Sequence, residues 1–241
     1  MNTVYNTDAM SLIKGTQSES VDLVILDPDY QFWNDFIKQG LIEETMRVLK
    51  PSGNVLCFTK QPFDYELRIA VNPYFRREIT WTFENGGAWV SPKMPLVSFQ
   101  KIYWLVKSDD FYFNPRTGEA YSENTREFKR SVKVFGDYCE EGQNFSKSNE
   151  GVWLRDHLHF NKPNCGDIPA KPQKLIDIFV KCFCPVGGMM LDLFSGSGIC
   201  SIVARDNRVN SVGAEINIKR QKEIADKLSE PIQMNIFDFL N

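Results

Sequence analysis

Residues 191–198 read LDLFSGSG, an apolar run that leads directly into two glycines separated by one serine. The pattern predicts a buried strand, a tight turn and the start of a helix. Glycines let the backbone approach a ligand closely, and the free N–H groups at a helix start favour polar or anionic groups. Glu215 follows the next predicted strand, NSVGA, at a position where an acid can accept hydrogen bonds from a ribose diol. This half of the chain therefore predicts a site for a nucleoside-containing cofactor.

A second apolar run ends abruptly in polar residues at 21–30, VDLVILDPDY. The run Val21–Leu26 predicts a strand covered on both faces, as in a parallel sheet. Asp27, Pro28, Asp29 and Tyr30 would then lie at the carboxyl end of the strand, where open α/β sheets bind their ligands.

Strand and helix patterns alternate along most of the chain. A helical stripe at 34–50 precedes a strand at 54–59, which predicts a right-handed parallel crossover. Further strands are predicted at 3–6, 77–83, 101–107, 189–193, 210–214 and, at an edge, 231–236, and further helices at 173–183 and 218–228. Periodicity is lost between about 109 and 169. The pattern predicts an α/β fold with a doubly wound, mostly parallel sheet and an irregular insertion.

Composition excludes several classes of protein. No stretch approaches eighteen uninterrupted apolar residues, so we expect no membrane span. The first residues lack a basic segment followed by an apolar one, and the six cysteines form no CxxC pair. We therefore expect a cytoplasmic protein without a metal site.

The polar stretch Asp27-Pro28-Asp29-Tyr30 resembles the Asp-Pro-Pro-Tyr motif of amino-group DNA methyltransferases. The form Asp-x-Phe-x-Gly-x-Gly at 192–198 resembles the S-adenosylmethionine (AdoMet) loop of methyltransferases. With the acidic motif first and the cofactor loop second, the order resembles the β class of these enzymes. That resemblance implies a Rossmann-like AdoMet-dependent sheet in a bacterial or phage-encoded protein that methylates adenine N6 or cytosine N4 in double-stranded DNA.

The resemblance also implies roles for residues. The implied catalytic residues are Asp27, Pro28, Asp29 and Tyr30. The implied cofactor-binding residues are Asp8, Ala9, Asp27, Lys171, Asp192, Phe194, Ser195, Gly196, Ser197, Gly198 and Glu215. Asp29 departs from the family pattern, because it stands where the family has a second proline. It adds a negative charge and loses the stiffness of a fixed φ.

The target-recognition segment matches the family by its position alone. We divide the chain into a catalytic half at 1–107, a target-recognition insertion at 108–169 and an AdoMet-binding half at 170–241. Residues predicted to contact DNA are Arg126, Lys129, Arg130, Arg155, His157 and Lys162. Cations of this kind contact phosphates or guanine edges.

Adenine N6 is the expected target, because by family resemblance aspartate at position 27 favours adenine and serine favours cytosine. Two alternatives remain: methylation of cytosine N4, and a non-catalytic relative that only binds DNA. A nicotinamide oxidoreductase is disfavoured by Ser201, which stands where the dinucleotide fingerprint has a third glycine or alanine. A homodimer and a cognate restriction endonuclease stay open as partners.

Overall fold

The computed structural model describes residues 1–84, 93, 95–115, 153–163 and 170–230. By contacts the chain divides into two compact units, Met1–Asn114 with Arg155–Asn241, and Pro115–Leu154. Almost all of the second unit lies outside the described residues, and so does the edge strand predicted at 231–236.

The first unit is built on a mixed sheet. Its strands are β1 Asn2–Tyr5, β2 Val21–Leu26, β3 Leu49–Thr59, β4 Phe75–Thr82, β5 Phe99–Val106, β6 His157–His159, β7 Met189–Asp192 and β8 Asn210–Ala214. Within the described residues they lie in the order β1-β8-β7-β2-β3-β5-β4-β6. The first five strands of that order are parallel, β5 runs antiparallel to β3 and β4, and β6 is parallel to β4. The predicted fold class, an α/β protein with a mostly parallel sheet, is confirmed.

Seven α-helices are described with this sheet. They are α1 Ala9–Gly15, α2 Trp33–Lys38, α3 Leu41–Val48, α4 Asp64–Ala70, α5 Gln173–Phe183, α6 Ile199–Asp206 and α7 Ile218–Ser229. Two short 3-10 turns cover Tyr30–Phe32 and Asn72–Tyr74. Helices α1 to α4 contact one another, and α5 contacts α6, which in turn contacts α7.

The chain reverses its direction of winding between β2 and β7. From β2 it passes through α2 and α3 to β3 on one side, and from β7 it passes through α6 to β8 on the other. Right-handed crossovers in opposite directions place their helices on opposite faces of the sheet. The sheet is therefore doubly wound, with its switch point between two neighbouring central strands.

The predicted helix at 34–50 is wrong as one element. It is broken at Gly40, which has a φ of +84°, so that α2 and α3 are separate helices. A left-handed conformation at this position favours glycine. The strand after α3 also begins earlier than predicted, at Leu49.

Candidate active site

The two motifs singled out in the sequence meet at the switch point. Strands β2 and β7 are direct neighbours, with Ile25 paired to Asp192. Both strands run in the same direction, so Asp27 and Phe194 follow them at the same edge of the sheet. Open α/β sheets bind ligands in the crevice at such a point. The expectation that 27–30 and 194–198 line one cleft agrees with this geometry.

The Asp27 carboxylate is held from both sides. Its Oδ1 accepts a hydrogen bond from the Tyr30 hydroxyl at 3.1 Å, and its Oδ2 forms an ion pair with the Lys171 ammonium. Lys171 Nζ also donates to the Tyr30 oxygen at 3.4 Å. Lys171 therefore contacts the acid of the first motif, a contact that the sequence did not predict.

Tyr30 is almost fully buried, with 8% of its surface exposed. Its hydroxyl oxygen lies 3.0 Å from Oε1 of Gln100, the second residue of β5. Because β5 is antiparallel to β3, its first residues lie at the same edge as the ends of β2 and β7. Burial, together with the neighbouring Asp27 carboxylate, raises the pKa of Tyr30 well above its ordinary value. The phenol therefore keeps its proton at neutral pH.

Cations face the aromatic rings of this cleft. Lys171 Nζ lies 4.8 Å from the centroid of the Phe58 ring and 5.9 Å from that of Tyr30. Lys60 Nζ lies 5.5 Å from the centroid of the Tyr30 ring. Such contacts stabilise an ammonium where water is scarce. No sequence pattern singled out Lys60 or Phe58.

The two middle residues of the acidic motif face different surroundings. Pro28 is buried, whereas Asp29 is exposed and its Oδ2 accepts a hydrogen bond from Gln31 Nε2 at 2.8 Å. Asp29 thus points its charge towards solvent. Its φ of −61° is one that proline also adopts, so the backbone keeps the shape that the family motif would have.

The glycine turn after β7 is closed by Glu215. The N–H of Gly196 donates to Glu215 Oε2 at 2.9 Å, and the N–H of Asn217 donates to Oε1 at 2.8 Å. Gly198 has a φ of +79°, and a Cβ there would lie 2.7 Å from the Ile224 side chain of α7. Each carboxylate oxygen retains a further lone pair for a ligand hydroxyl. Glu215 therefore fixes the turn and can still accept hydrogen bonds.

Asp192 is the most perturbed acid of the site. It is 1% exposed, and its Oδ2 has no hydrogen-bond partner. Its Oδ1 accepts a weak hydrogen bond from the Phe194 N–H at 3.4 Å. Burial raises its pKa from 3.8 to about 7, and the negative charges of Asp27 and Glu215 add to that rise. An unpaired buried acid of this kind marks a candidate functional site.

The other predicted cofactor residues lie around the same edge. Asp8 caps α1 and accepts hydrogen bonds from the Ser11 backbone and hydroxyl at 2.8 and 2.6 Å, while Ala9 is buried. Ser195 is buried within the glycine turn, and Ser197 is partly exposed. Phe194 packs edge-on against Phe36 of α2, with ring centroids 5.0 Å apart.

Half of the predicted DNA contacts can be placed. Arg155 and His157 are exposed, and Lys162 lies with its Nζ 3.9 Å from the centroid of the Phe83 ring. Burial lowers the pKa of Lys162, and the positive charges of Lys171 and Lys60 lower it further. Arg126, Lys129 and Arg130 lie outside the described residues.

The described residues contain neither a cluster of metal ligands nor a membrane-spanning helix. Across these ranges no group of three or more His, Cys, Asp or Glu side chains is arranged to hold a metal ion. In the same part of the chain no helix is both long enough and apolar enough to cross a membrane.

Known proteins share both the sequence pattern and the fold. Among curated relatives, the Type II methyltransferase M.HpaI of Haemophilus parainfluenzae is 23% identical over 255 residues, covering 98% of this chain and 76% of the relative. The DNA adenine methyltransferase YhdJ of Escherichia coli (strain K12) is 26% identical over 241 residues, covering 89% of this chain and 78% of the relative.

Solved structures with the same fold include two methyltransferases. The cytosine-N4-specific PvuII DNA methyltransferase has a TM-score of 0.72 at 12% identity, covering all of this chain and 90% of that one. The M1.HpyAVI–SAM complex has a TM-score of 0.65 at 17% identity, covering 95% of this chain and 100% of that one.

The sequence profile of a family described as DNA methylase matches residues 21–227, a range that includes both motifs of the cleft. The expected family is thereby confirmed, and this chain belongs to the DNA methylases that modify exocyclic N6 or N4 amines.

Proposed function

We propose that this protein transfers a methyl group from AdoMet to the exocyclic N6 amine of adenine in double-stranded DNA. The observation that carries the proposal is the position of Asp27 beside the glycine turn at the switch point of the sheet. One side of the crevice offers acceptors for an amine, and the other offers a site for a nucleoside.

The described residues fit AdoMet. Glu215 has lone pairs left for the ribose hydroxyls, and Asp192 presents a buried carboxylate oxygen without a partner. The buried Asp192 carboxylate is costly to ionise, so a cationic ligand beside it would be favoured. When bound, AdoMet supplies an electrophilic methyl group on a positively charged sulfur. Asp8, Ala9, Phe194, Ser195, Gly196, Ser197 and Gly198 complete the proposed cofactor site.

Asp27 and the carbonyl of Pro28 act on the target amine. An exocyclic base amine is a poor nucleophile because its lone pair is delocalised into the ring. Two acceptors that bind its two hydrogens pull that lone pair out of conjugation and orient it, so positioning and hydrogen bonding do most of the work. Lys171 and Tyr30 hold the Asp27 carboxylate in place for this contact.

The target base must leave the duplex to reach Asp27. We assign its stacking to the Tyr30 ring, whose hydroxyl donates a hydrogen bond to Asp27. Because only 8% of Tyr30 is exposed, the entering base must first uncover this ring. We assign Lys162, Arg155 and His157, together with Arg126, Lys129 and Arg130, to the DNA contact. Such contacts neutralise phosphates and make binding depend strongly on salt.

Cytosine N4 is the second candidate target. The relative from Escherichia coli is named for adenine and the PvuII enzyme for cytosine. Both amines present similar donors, and the aspartate at 27 favours adenine by resemblance to the family. We assign the protein to a restriction–modification system or an orphan methylation system, and the Haemophilus relative is named a Type II methyltransferase.

The test is methyl transfer with a product analysis. The protein is incubated with duplex DNA of varied sequence and methyl-labelled AdoMet, the DNA is digested, and the labelled nucleoside is identified. Labelled N6-methyladenine would support the proposal. Labelled N4-methylcytosine would show that the target is cytosine instead of adenine. Duplex binding without transfer would identify a non-catalytic relative, and competition by a nicotinamide cofactor would identify an oxidoreductase.

A further inference from the structure

The Tyr30 hydroxyl lies beside two oxygen atoms and cannot donate a hydrogen bond to both of them. The oxygen lies 3.1 Å from Asp27 Oδ1 and 3.0 Å from Gln100 Oε1, and both of these atoms are acceptors. A phenol has one hydrogen and can donate it once. Since burial keeps Tyr30 protonated, one of these two contacts must have another donor.

The charged acceptor takes the hydrogen. A hydrogen bond to a carboxylate is roughly twice as strong as one to a neutral amide. If Tyr30 donated to Gln100 instead, its lone pairs would face Asp27 Oδ1 at 3.1 Å, and two electron-rich oxygens would repel each other. The Tyr30 hydrogen therefore lies on Asp27.

The amide of Gln100 supplies the missing donor. Turning this amide by 180° exchanges Oε1 and Nε2 without changing the shape of the side chain. The Tyr30 oxygen then accepts from Gln100 Nε2 and from Lys171 Nζ, and it donates to Asp27. This arrangement uses the full capacity of a phenol, which is one donor and two lone pairs.

We propose that Gln100 is a positioning residue for methyl transfer: its amide donates to the Tyr30 oxygen and thereby directs the Tyr30 hydrogen onto Asp27 Oδ1. The inference rests on the proposed function, because its effect is on the carboxylate that receives the target amine. With Oδ1 bound by Tyr30 and Oδ2 by Lys171, the plane of that carboxylate is fixed before the base arrives. Preorganised acceptors of this kind act mainly on the chemical step.

The proposed role requires a hydrogen-bond donor at position 100. A residue that only filled space could be replaced by any side chain of the same shape. A glutamate there has the same shape, but when ionised it can only accept, so it competes with Asp27 for the Tyr30 hydrogen. When protonated it becomes a donor again. Among the described residues, the charged groups that face this hydroxyl are Asp27 and Asp29 after β2, Lys60 after β3 and Lys171 before α5.

The experiment compares five variants, one of them a double mutant, with wild type in the methyl-transfer assay. Gln100→Glu should lower kcat about tenfold at pH 8 and leave the KM for DNA and the Kd for AdoMet within about twofold. Its rate relative to wild type should recover as the pH falls towards roughly 5–6, where the introduced carboxylate gains a proton. Gln100→Leu should lose as much at every pH and should not recover. Gln39→Glu, at the exposed residue that follows α2, makes the same change of charge elsewhere and should behave as wild type.

Tyr30→Phe completes a double-mutant cycle. Because Gln100 acts through the Tyr30 hydroxyl, Gln100→Glu should cost little further activity in the Tyr30→Phe protein. Additive losses in the cycle would overturn the inference. So would a loss in Gln100→Glu that is equal at all pH values, or activity of Gln100→Glu equal to that of Gln39→Glu. If Gln100→Glu fails to bind AdoMet, Gln100→Leu takes its place in the cycle and the same additivity criterion applies. Failure of the wild type to modify any DNA would overturn the proposed function, and this inference with it.

Discussion

Asp192 lowers the stability of the native protein when its buried carboxylate is ionised, and this cost can be measured. Its pKa stands at about 7 against an ordinary value of 3.8. Each unit of such a shift corresponds to about 1.4 kcal/mol, so the ionised carboxylate costs the native state up to about 4 kcal/mol. The native protein holds this proton more tightly than the unfolded chain does. The free energy of unfolding therefore falls as the pH rises from about 4 to 7, and the full cost is present above that range.

Replacing Asp192 with Asn removes that cost. The amide has the same shape and no charge, but it places an N–H group where Oδ2 has no partner, which costs about 1–3 kcal/mol. We expect Asp192→Asn to be more stable than wild type by about 1–3 kcal/mol at pH 8.5, and equal or less stable at pH 5, where Asp192 is already protonated. The gain should come with weaker AdoMet binding, as is common when a strained functional group is relieved.

Urea denaturation followed by tryptophan fluorescence at pH 5, 7 and 8.5 gives the required free energies. Asp226→Asn, on the exposed side of α7, is the matched control that removes a charge without altering the cleft. An unchanged difference between Asp192→Asn and wild type from pH 5 to 8.5 would refute the assigned role of burial. Tighter AdoMet binding by the variant would instead contradict the place of Asp192 in the proposed cofactor site.

Three further changes test other parts of the site. Gly198→Ala forces a Cβ to within 2.7 Å of Ile224 and should lower stability by about 1–3 kcal/mol and weaken AdoMet binding, as measured by denaturation and calorimetry. Gly187→Ala is the control, because Gly187 has a similar φ of +80° and an added Cβ there would meet no atom within 4 Å. An equal loss of stability in that variant would show that backbone strain, and not the contact with Ile224, causes the loss at Gly198. Lys162→Ala should reduce the slope of log K for DNA binding against log salt by about 1 in a titration series, and an unchanged slope would remove Lys162 from the phosphate contact. Asp29→Pro suits the local φ of −61° and should raise the melting temperature while leaving kcat no lower, and a large loss of activity would show that Asp29 itself is required.

The parts of the fold that the sequence predicted best are those with a continuous apolar signal. Val21–Leu26 and the helix Gln173–Phe183 have the predicted bounds, because the first buries an uninterrupted apolar run and the second a clear helical stripe. Asn210–Ala214 also has the predicted bounds, although only three of its five residues are buried. The helix Asp64–Ala70 was missed, since Leu67 is its one buried apolar side chain among several charged ones. The strand His157–His159 was missed because three polar-flanked residues give no periodicity.

The direction of β5 could not be predicted, because an apolar run carries no sign of whether its neighbours are parallel. That direction is what brings Gln100 to the cleft. The site shows the same division. Asp27 and the turn at Gly196 could be proposed as site residues because each belongs to a short local motif. The ion pair between Lys171 and Asp27 joins distant segments and exists only in the folded chain.

The central claim is that Asp27 presents a target amine to a methyl donor held by the glycine turn. The most direct test is methylation-aware sequencing of DNA from cells that express either the wild type or Asp27→Ala, with AdoMet binding by both purified proteins as the control. We predict N6-methyladenine in a defined sequence context with the wild type, none with Asp27→Ala, and similar AdoMet affinity for both. Equal methylation by the two proteins, or no methylated base in either, would contradict the account.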